Sequence, residues 1–262
     1  AGVGPHDVER ILDPENPLHG EYVVSPELSV QYIGFNVRRP PFDDPLVRQA
    51  FAHAIDCEKI AELVLKGTAM PARGILPPGL LAEDAPAVAL PYDPTRARAL
   101  LAQSRYGAAG AMPDLTLAVS GESGAMSSID RALLHMLQVN IGLEVTIEQV
   151  AWADFLQDMN IGRYQMFSAG WIGDYPDPQN FLDLLFHSAS AQNHTGYANA
   201  EVDALLEKAR VEADHAQRLA LYAQAEEIIV SEAPWAPLTH GVSYTLVKPY
   251  VQGFYSSAGL YP

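Results

Sequence analysis

Between residues 115 and 170 the hydrophobic pattern switches repeatedly between two periods, and this constrains the fold more than any other feature. Residues 115–119 alternate apolar and polar as a strand does. Residues 127–140 carry a helical stripe at Ile129, Leu133, Leu134 and Leu137, continued by Ile141. Residues 143–150 alternate again and are rich in β-branched side chains, 152–161 read as a helix, and 164–170 as a strand. A strand–helix–strand–helix–strand run implies parallel strands with right-handed crossovers. Ligands of such sheets sit beyond the carboxyl ends of the strands. Here the last carboxyl end is Gly170-Trp171-Ile172-Gly173-Asp174.

The flanking chain is punctuated by caps and prolines. Residues 1–30 read as irregular, with Pro5, Pro14, Pro17 and Pro26, and a strand follows at 30–36. Asp44-Pro45 is an N-cap followed by a first-turn proline, so a helix runs from there to about Ala54, with Val47, Ala50, Phe51 and Ala54 on one face. Asp56 caps a second helix that should end at Gly67. Residues 68–92 are rich in proline and glycine, among them Pro71, Gly74, Pro77, Pro78, Gly79, Pro86 and Pro91. Such a long loop is either functional or wraps a surface. Asp93-Pro94 starts a helix reaching about Ser104. Beyond the regular region come a short helix at 179–186, a polar stretch at 187–199, and helices at 201–211 and 215–232. Leu205, Ala209, Leu219 and Tyr222 of these helices should pack on the sheet. Pro234 and Pro237 should break the chain before a last strand at 242–248 and a tail at 251–262.

Composition narrows the function. Thirty-two Asp and Glu against 16 Lys and Arg leave a formal charge of −16. Nucleic acid is excluded as a partner, since phosphate binding needs a basic stripe, and so is an anionic membrane surface. With 48% hydrophobic and 18% charged residues, the chain folds. The lone Cys57 excludes an internal disulfide and a Cys-rich zinc site, and its helical context reads as an inert thiol. Ala1-Gly2-Val3-Gly4-Pro5 is neither a signal peptide nor a lipidation motif. No apolar run is long enough to span a membrane.

Catalytic signatures are absent: there is no dinucleotide fingerprint, P-loop or zincin motif. Gly121-Glu122-Ser123-Gly124 lacks the glycine of a nucleophile elbow and reads as a polar loop. The histidines are scattered; His187 and His194 are the pair that a loop brings closest. Asp174 and Asp177 have the composition of a glycosidase carboxylate pair. The competing reading makes Asp177 a helix cap, with Pro178 in the first turn. Asp174 lies where a pocket is expected and suits a cationic ligand group walled by indoles, or else it is a satisfied structural carboxylate. Trp152 and Trp171 are pocket walls or core residues.

Several segments resemble one family. Tyr32-Ile33-Gly34-Phe35-Asn36, then Pro41-Phe42-Asp43-Asp44-Pro45-Leu46-Val47-Arg48-Gln49-Ala50 through Ala54-Ile55-Asp56, is similar to a signature of ABC-transporter extracellular solute-binding proteins of the oligopeptide/dipeptide-binding class. Leu90-Pro91-Tyr92-Asp93-Pro94, the Gly170–Pro178 segment, Asn193 to Leu206, and Leu246 to Gly253 resemble later segments of that class in the same order.

The resemblance implies a periplasmic-binding-protein-like fold (type II, cluster C), an α/β lobe whose mixed or parallel sheet is flanked by helices. It implies the C-terminal half of a two-lobed protein, whose signal, lipid anchor and most of the first lobe lie upstream. Residues 1–39 would be a remnant of the first lobe and the hinge, 40–240 the second ligand-binding lobe, and 241–262 a return strand and tail of the first lobe. The implied function is capture of a peptide-like or other small solute between the lobes for an ABC importer. The implied partners are that solute and a membrane permease. The protein would be a non-enzymatic, extracytoplasmic monomer without cofactor or metal. In peptide-binding relatives the position of Asp174 pairs with the ligand ammonium, the backbone around Gly170 and Ile172 pairs with its main chain, and Trp171 and Trp152 line side-chain pockets. Ser168 stands where some relatives carry an arginine for a ligand carboxylate, and no basic residue occurs between Asp114 and Asp130. The solute class therefore stays open among peptides, nickel chelates, sugars and opines. The alternatives are a hydrolase using Asp174 and Asp177, or a structural or signalling solute receptor.

Overall fold

A computed structural model describes residues 5–81, 87–122 and 124–254 of the chain. In order, the elements are α1 (Pro5–Leu12), β1 (Tyr22–Pro26), β2 (Ser29–Phe35), α2 (Pro45–Ala54), α3 (Cys57–Lys59), β3 (Ala69–Pro71), α4 (Pro94–Gln103), β4 (Leu115–Ser120), α5 (Ser128–Ile141), β5 (Val145–Val150), α6 (Trp152–Asn160), β6 (Met166–Ile172), α7 (Leu182–Phe186), α8 (Ala200–Val211), α9 (His215–Glu232) and β7 (Trp235–Leu246). Ser123, residues 82–86 with Pro86, and the tail from 255 lie outside the described residues.

The central reading holds. β4 pairs in parallel with both β5 and β6, and the sheet order is β1-β7-β2-β6-β4-β5, with β3 beside β7. Since β5 and β6 flank β4, α5 and α6 cross on opposite faces. Leu133 and Leu137 of α5 enter one core, and Phe155 and Met159 of α6 the other. Side chains of β6 alternate between them, Met166 to the first and Phe167 to the second. The first core also takes α2 and α4 through Val47, Phe51 and Ala97. The second takes α7 to α9 through Phe186, Val202, Leu206, Ala209, Tyr222 and Ile229. The starts of α2, α3 and α4 were legible because the cap chemistry is local. Asp44, Asp56, Asp93, Ser127 and Asp214 all accept backbone N–H bonds at the start of the helix that follows.

Three expectations needed correction. Residues 1–30 are not irregular: α1 forms, and β1 pairs antiparallel with β7 from Tyr22 opposite Leu246 to Pro26 opposite Val242. This strand is short, lies at the sheet edge and ends in proline, so its local signal is weak. The second helix stops early. Leu65 N–H bonds to Ile60 C=O at 3.0 Å, closing a π turn over Ile60–Val64, and Lys66 (φ 50°) and Gly67 (φ 85°) are left-handed. The last strand starts at Trp235 and passes through Pro237. Its register against β2 shifts between Gln31, opposite Thr239, and Tyr32, opposite Pro237. The proline thus sits at a bulge, where a missing N–H is tolerated.

Candidate functional site

The site grows from the end of β6. β2 pairs with β6 as far as Ser29 opposite Ile172, whereas β4 pairs only as far as Val119 opposite Ser168. Residues 169–172 therefore have a strand on one side and none of the described strands on the other. Gly173 N–H bonds to Leu28 C=O at 2.6 Å, so the odd positions turn toward β2. By alternation the N–H and C=O groups of Gly170 and Ile172 face the open edge. Gly170 is also a close-approach position: a Cβ there would lie 2.2 Å from the Gln31 amide nitrogen.

Beside this edge is a cleft of about 290 Å³, lined by the ends of β4 and β6, the start of α5, Gln31, Thr239 and Trp152. Trp152 opens α6 and is 61% exposed, with its ring stacked on buried Phe155 at 6.1 Å and 19°. One indole face is held and the other is open. Ser168 and Gly170 also line the cleft, and its one charged lining residue, Asp130, is buried in the capping box of α5. No Lys, Arg or His lines it.

Trp171 and Asp174 form a second group, set by a residue that sequence reasoning missed. Buried Asn180 accepts from Trp171 Nε1 at 3.0 Å and from Asp174 N–H at 3.1 Å through the same Oδ1. Its Nδ2 donates to Asp174 Oδ2 at 3.4 Å. The indole is thereby fixed at the sheet end, half-buried against the second core. Asp174 is exposed, and no ion pair engages it among the described residues. Ile172 is 53% exposed. The five candidate residues thus cluster at one sheet end in two parts: Trp152 and Gly170 line the cleft, whereas Trp171, Ile172 and Asp174 do not. Local sequence gave no sign of Asn180 or Gln31, since their roles depend on how the 173–180 turn and β2 fold back.

Asp177 is no free carboxylate. It caps the turn through Gln179 N–H at 2.9 Å and takes both terminal nitrogens of Arg218, at 2.8 and 2.7 Å. Burial raises its pKa, but the bonds from Arg218 and Gln179 outweigh that and hold it below the usual carboxylate range. The cap reading stands, and the Asp177 carboxylate is committed to the turn and to Arg218. His187 pairs with Glu207 and His194 with Asn160, so each has its own partner. Among the described residues no group of three or more His, Cys, Asp or Glu could hold a metal ion. Burial pushes the Cys57 thiol up to about 12, which matches an inert thiol.

Comparison with known proteins adds a family. Residues 1–193 match the model of the bacterial extracellular solute-binding proteins, family 5 (middle region). The chain is 35% identical over 230 residues to di/tripeptide-binding protein 2 of Pseudomonas aeruginosa, covering 85% of the chain and 42% of that relative. It is 33% identical over 232 residues to heme-binding protein A of Haemophilus influenzae, covering 88% and 42%. Among solved structures it superposes on the periplasmic murein tripeptide-binding protein MppA in its unliganded open form. The TM-score is 0.83 at 27% identity, with 96% of this chain and 49% of that one covered. The fold is therefore that of the type II periplasmic-binding-protein-like peptide binders. The chain spans about half the length of the curated relatives it matches.

Proposed function

Because the chain belongs to the bacterial extracellular solute-binding proteins of family 5, we propose that it is the ligand-binding half of a solute-binding protein serving an ABC importer and that it captures peptide-like solutes. The observation that carries this reading is the open edge of β6 at residues 169–172 beside the cleft. An extended peptide adds to such an edge through its main chain, independently of sequence, while neighbouring pockets receive its side chains. Gly170 and Ile172 supply the edge groups, Trp152 and Trp171 the aromatic walls, and Asp174 the charge for the ligand ammonium. The relative named for heme shows that family membership alone does not fix the solute.

Residues 40–240 make up most of the ligand-binding lobe, with β2 built into the same sheet between β7 and β6, and the segments before β2 and after 241 belong to the hinge and the other lobe. A separate small core supports this division: Val8, Ile11 and Tyr244 pack with Leu18, Tyr22 and Leu246, apart from the two cores of the main sheet. The protein works as a monomer outside the cytoplasmic membrane and delivers its solute to a membrane permease. No described helix is long and apolar enough to cross a membrane.

The test is calorimetry with short peptides on the complete two-lobed protein. Asp174→Asn should weaken binding of free-amine peptides about tenfold or more and erase the preference over their N-acetylated forms. Methylating the ligand amide that faces β6 should weaken binding further. Full affinity in Asp174→Asn, with N-acetylation still discriminated, overturns the role of Asp174. Indifference to backbone methylation overturns the edge mode.

A further inference from the structure

Gln31 of β2 stands directly opposite Gly170 of β6. Because the Gly170 N–H and C=O turn to the open edge, the two residues form a non-hydrogen-bonded pair, the closer of the two spacings in an antiparallel ladder. Their side-chain positions share one face, that of the cleft, which both residues line. The whole amide of Gln31 lies over the glycine. A Cβ on Gly170 would fall 2.2 Å from Nε2, 2.7 Å from Cδ and 2.8 Å from Oε1 of Gln31. The glycine is thus what lets a side chain from β2 reach across β6 toward the open edge.

This residue is exposed, and its amide makes no hydrogen bond with the described residues. The amide carries both a donor and an acceptor, and turning it over leaves one of each on offer. The other polar groups of the cleft are neutral or committed. Ser120, Ser168 and Thr239 bring hydroxyls, and Asp130 is held in its capping box, its Oδ2 accepting Ser127 N–H at 3.2 Å.

A ligand strand added to the edge of β6 sends alternate side chains to this face. The one that comes beside Gly170 finds no side chain on the glycine and meets the Gln31 amide instead. A ligand carboxamide satisfies that amide twice, giving an N–H to Oε1 and accepting one from Nε2. A carboxylate only accepts, so it sets an oxygen against Oε1, and no Lys, Arg or His of the cleft compensates its charge. An apolar side chain displaces water from the amide and leaves both of its groups unpaired.

We propose that Gln31 is a specificity-determining residue of the cleft and that it selects a ligand residue with a carboxamide side chain, asparagine or glutamine. The proposal rests on peptide addition at the β6 edge and adds the chemistry of the side chain taken beside Gly170.

The test is calorimetry at neutral pH on the complete two-lobed protein. The probes are trialanine and tripeptides in which each alanine in turn is replaced by glutamine, glutamate, methionine or lysine. At one position the glutamine peptide should bind about tenfold tighter than its glutamate and methionine counterparts, which differ from it little in length. Gln31→Met should abolish that preference. Gln31→Glu, whose carboxylate only accepts, should shift it so that lysine at the same position overtakes glutamine, a change of order that a loss of folding cannot produce. If the unaltered protein binds none of these peptides, the peptide-binding reading falls and this proposal falls with it. If peptides bind but glutamine is preferred at no position, or the preference survives in Gln31→Met, peptide binding stands and the role of Gln31 is overturned.

Discussion

Glu226 and His240 line one cavity, yet burial acts on them with opposite sign. The Glu226 pKa rises from 4.5 to about 7, and that of His240 falls from 6.5 to about 4. Between about pH 4.5 and 7 the folded chain therefore holds a proton on Glu226 that the unfolded chain has released. The stability from this residue grows as pH falls through that window. Between about pH 4 and 6.5 the unfolded chain holds a proton on His240 that the folded chain refuses, so stability falls as pH falls. Each effect is worth about 3 kcal/mol at full development. The two nearly cancel in the intact protein and separate in variants. Denaturant melts across this range should show His240→Gln gaining stability as pH drops from 7 to 4.5, and Glu226→Gln losing stability from 6.5 to 4. Parallel profiles in the two variants would contradict this pairing. Neither behaviour was legible in the sequence, where Glu226 is one more acid on a helix and His240 one of eight scattered histidines.

At the scale of elements, β2 shows how a local pattern is completed by a partner. Gly34 lies opposite Phe167 of β6, and a Cβ on Gly34 would fall 2.3 Å from that buried ring. The glycine gives the ring its place across the strand pair, which in turn lets β6 alternate between the two cores. Tyr32, two residues earlier, stacks on Trp235 of β7 at 3.3 Å and 6°. Gly34→Ala should thus destabilise the sheet by about 1–3 kcal/mol through overpacking, read as a lowered urea midpoint with an unchanged slope. Gly34→Ala with Phe167→Leu should recover part of the loss. In sequence the segment reads as a strand, and nothing local says that its glycine is there for a ring 133 positions away.

For the whole molecule, the proposed function makes the cleft and the β6 edge one wall of a binding site that a second lobe completes. A second lobe would enclose the ligand, strengthen the charge of Asp174 by excluding water, and cover Trp152. The 262-residue chain alone should accordingly bind short peptides about tenfold or more weakly than the two-lobed protein, by calorimetry under matched conditions. Equal affinities would place the whole site on this half. What the sequence determined by itself was whatever is encoded over a few turns or a single strand. It determined the alternating elements and their parallel order, the caps at Asp44, Asp56 and Asp93, the reading of Asp177 as a cap, and the sheet end where Gly170 to Asp174 stand. Only the tertiary structure decided the contacts between distant segments. These are β1 against the far end of β7, Pro237 placed at a bulge, Asn180 turned inward to hold Trp171 and Asp174, and the β4 ladder stopping short so that β6 keeps an edge. The reason is physical: capping and periodicity are satisfied by near neighbours, whereas pairing and burial depend on which remote residue arrives beside them.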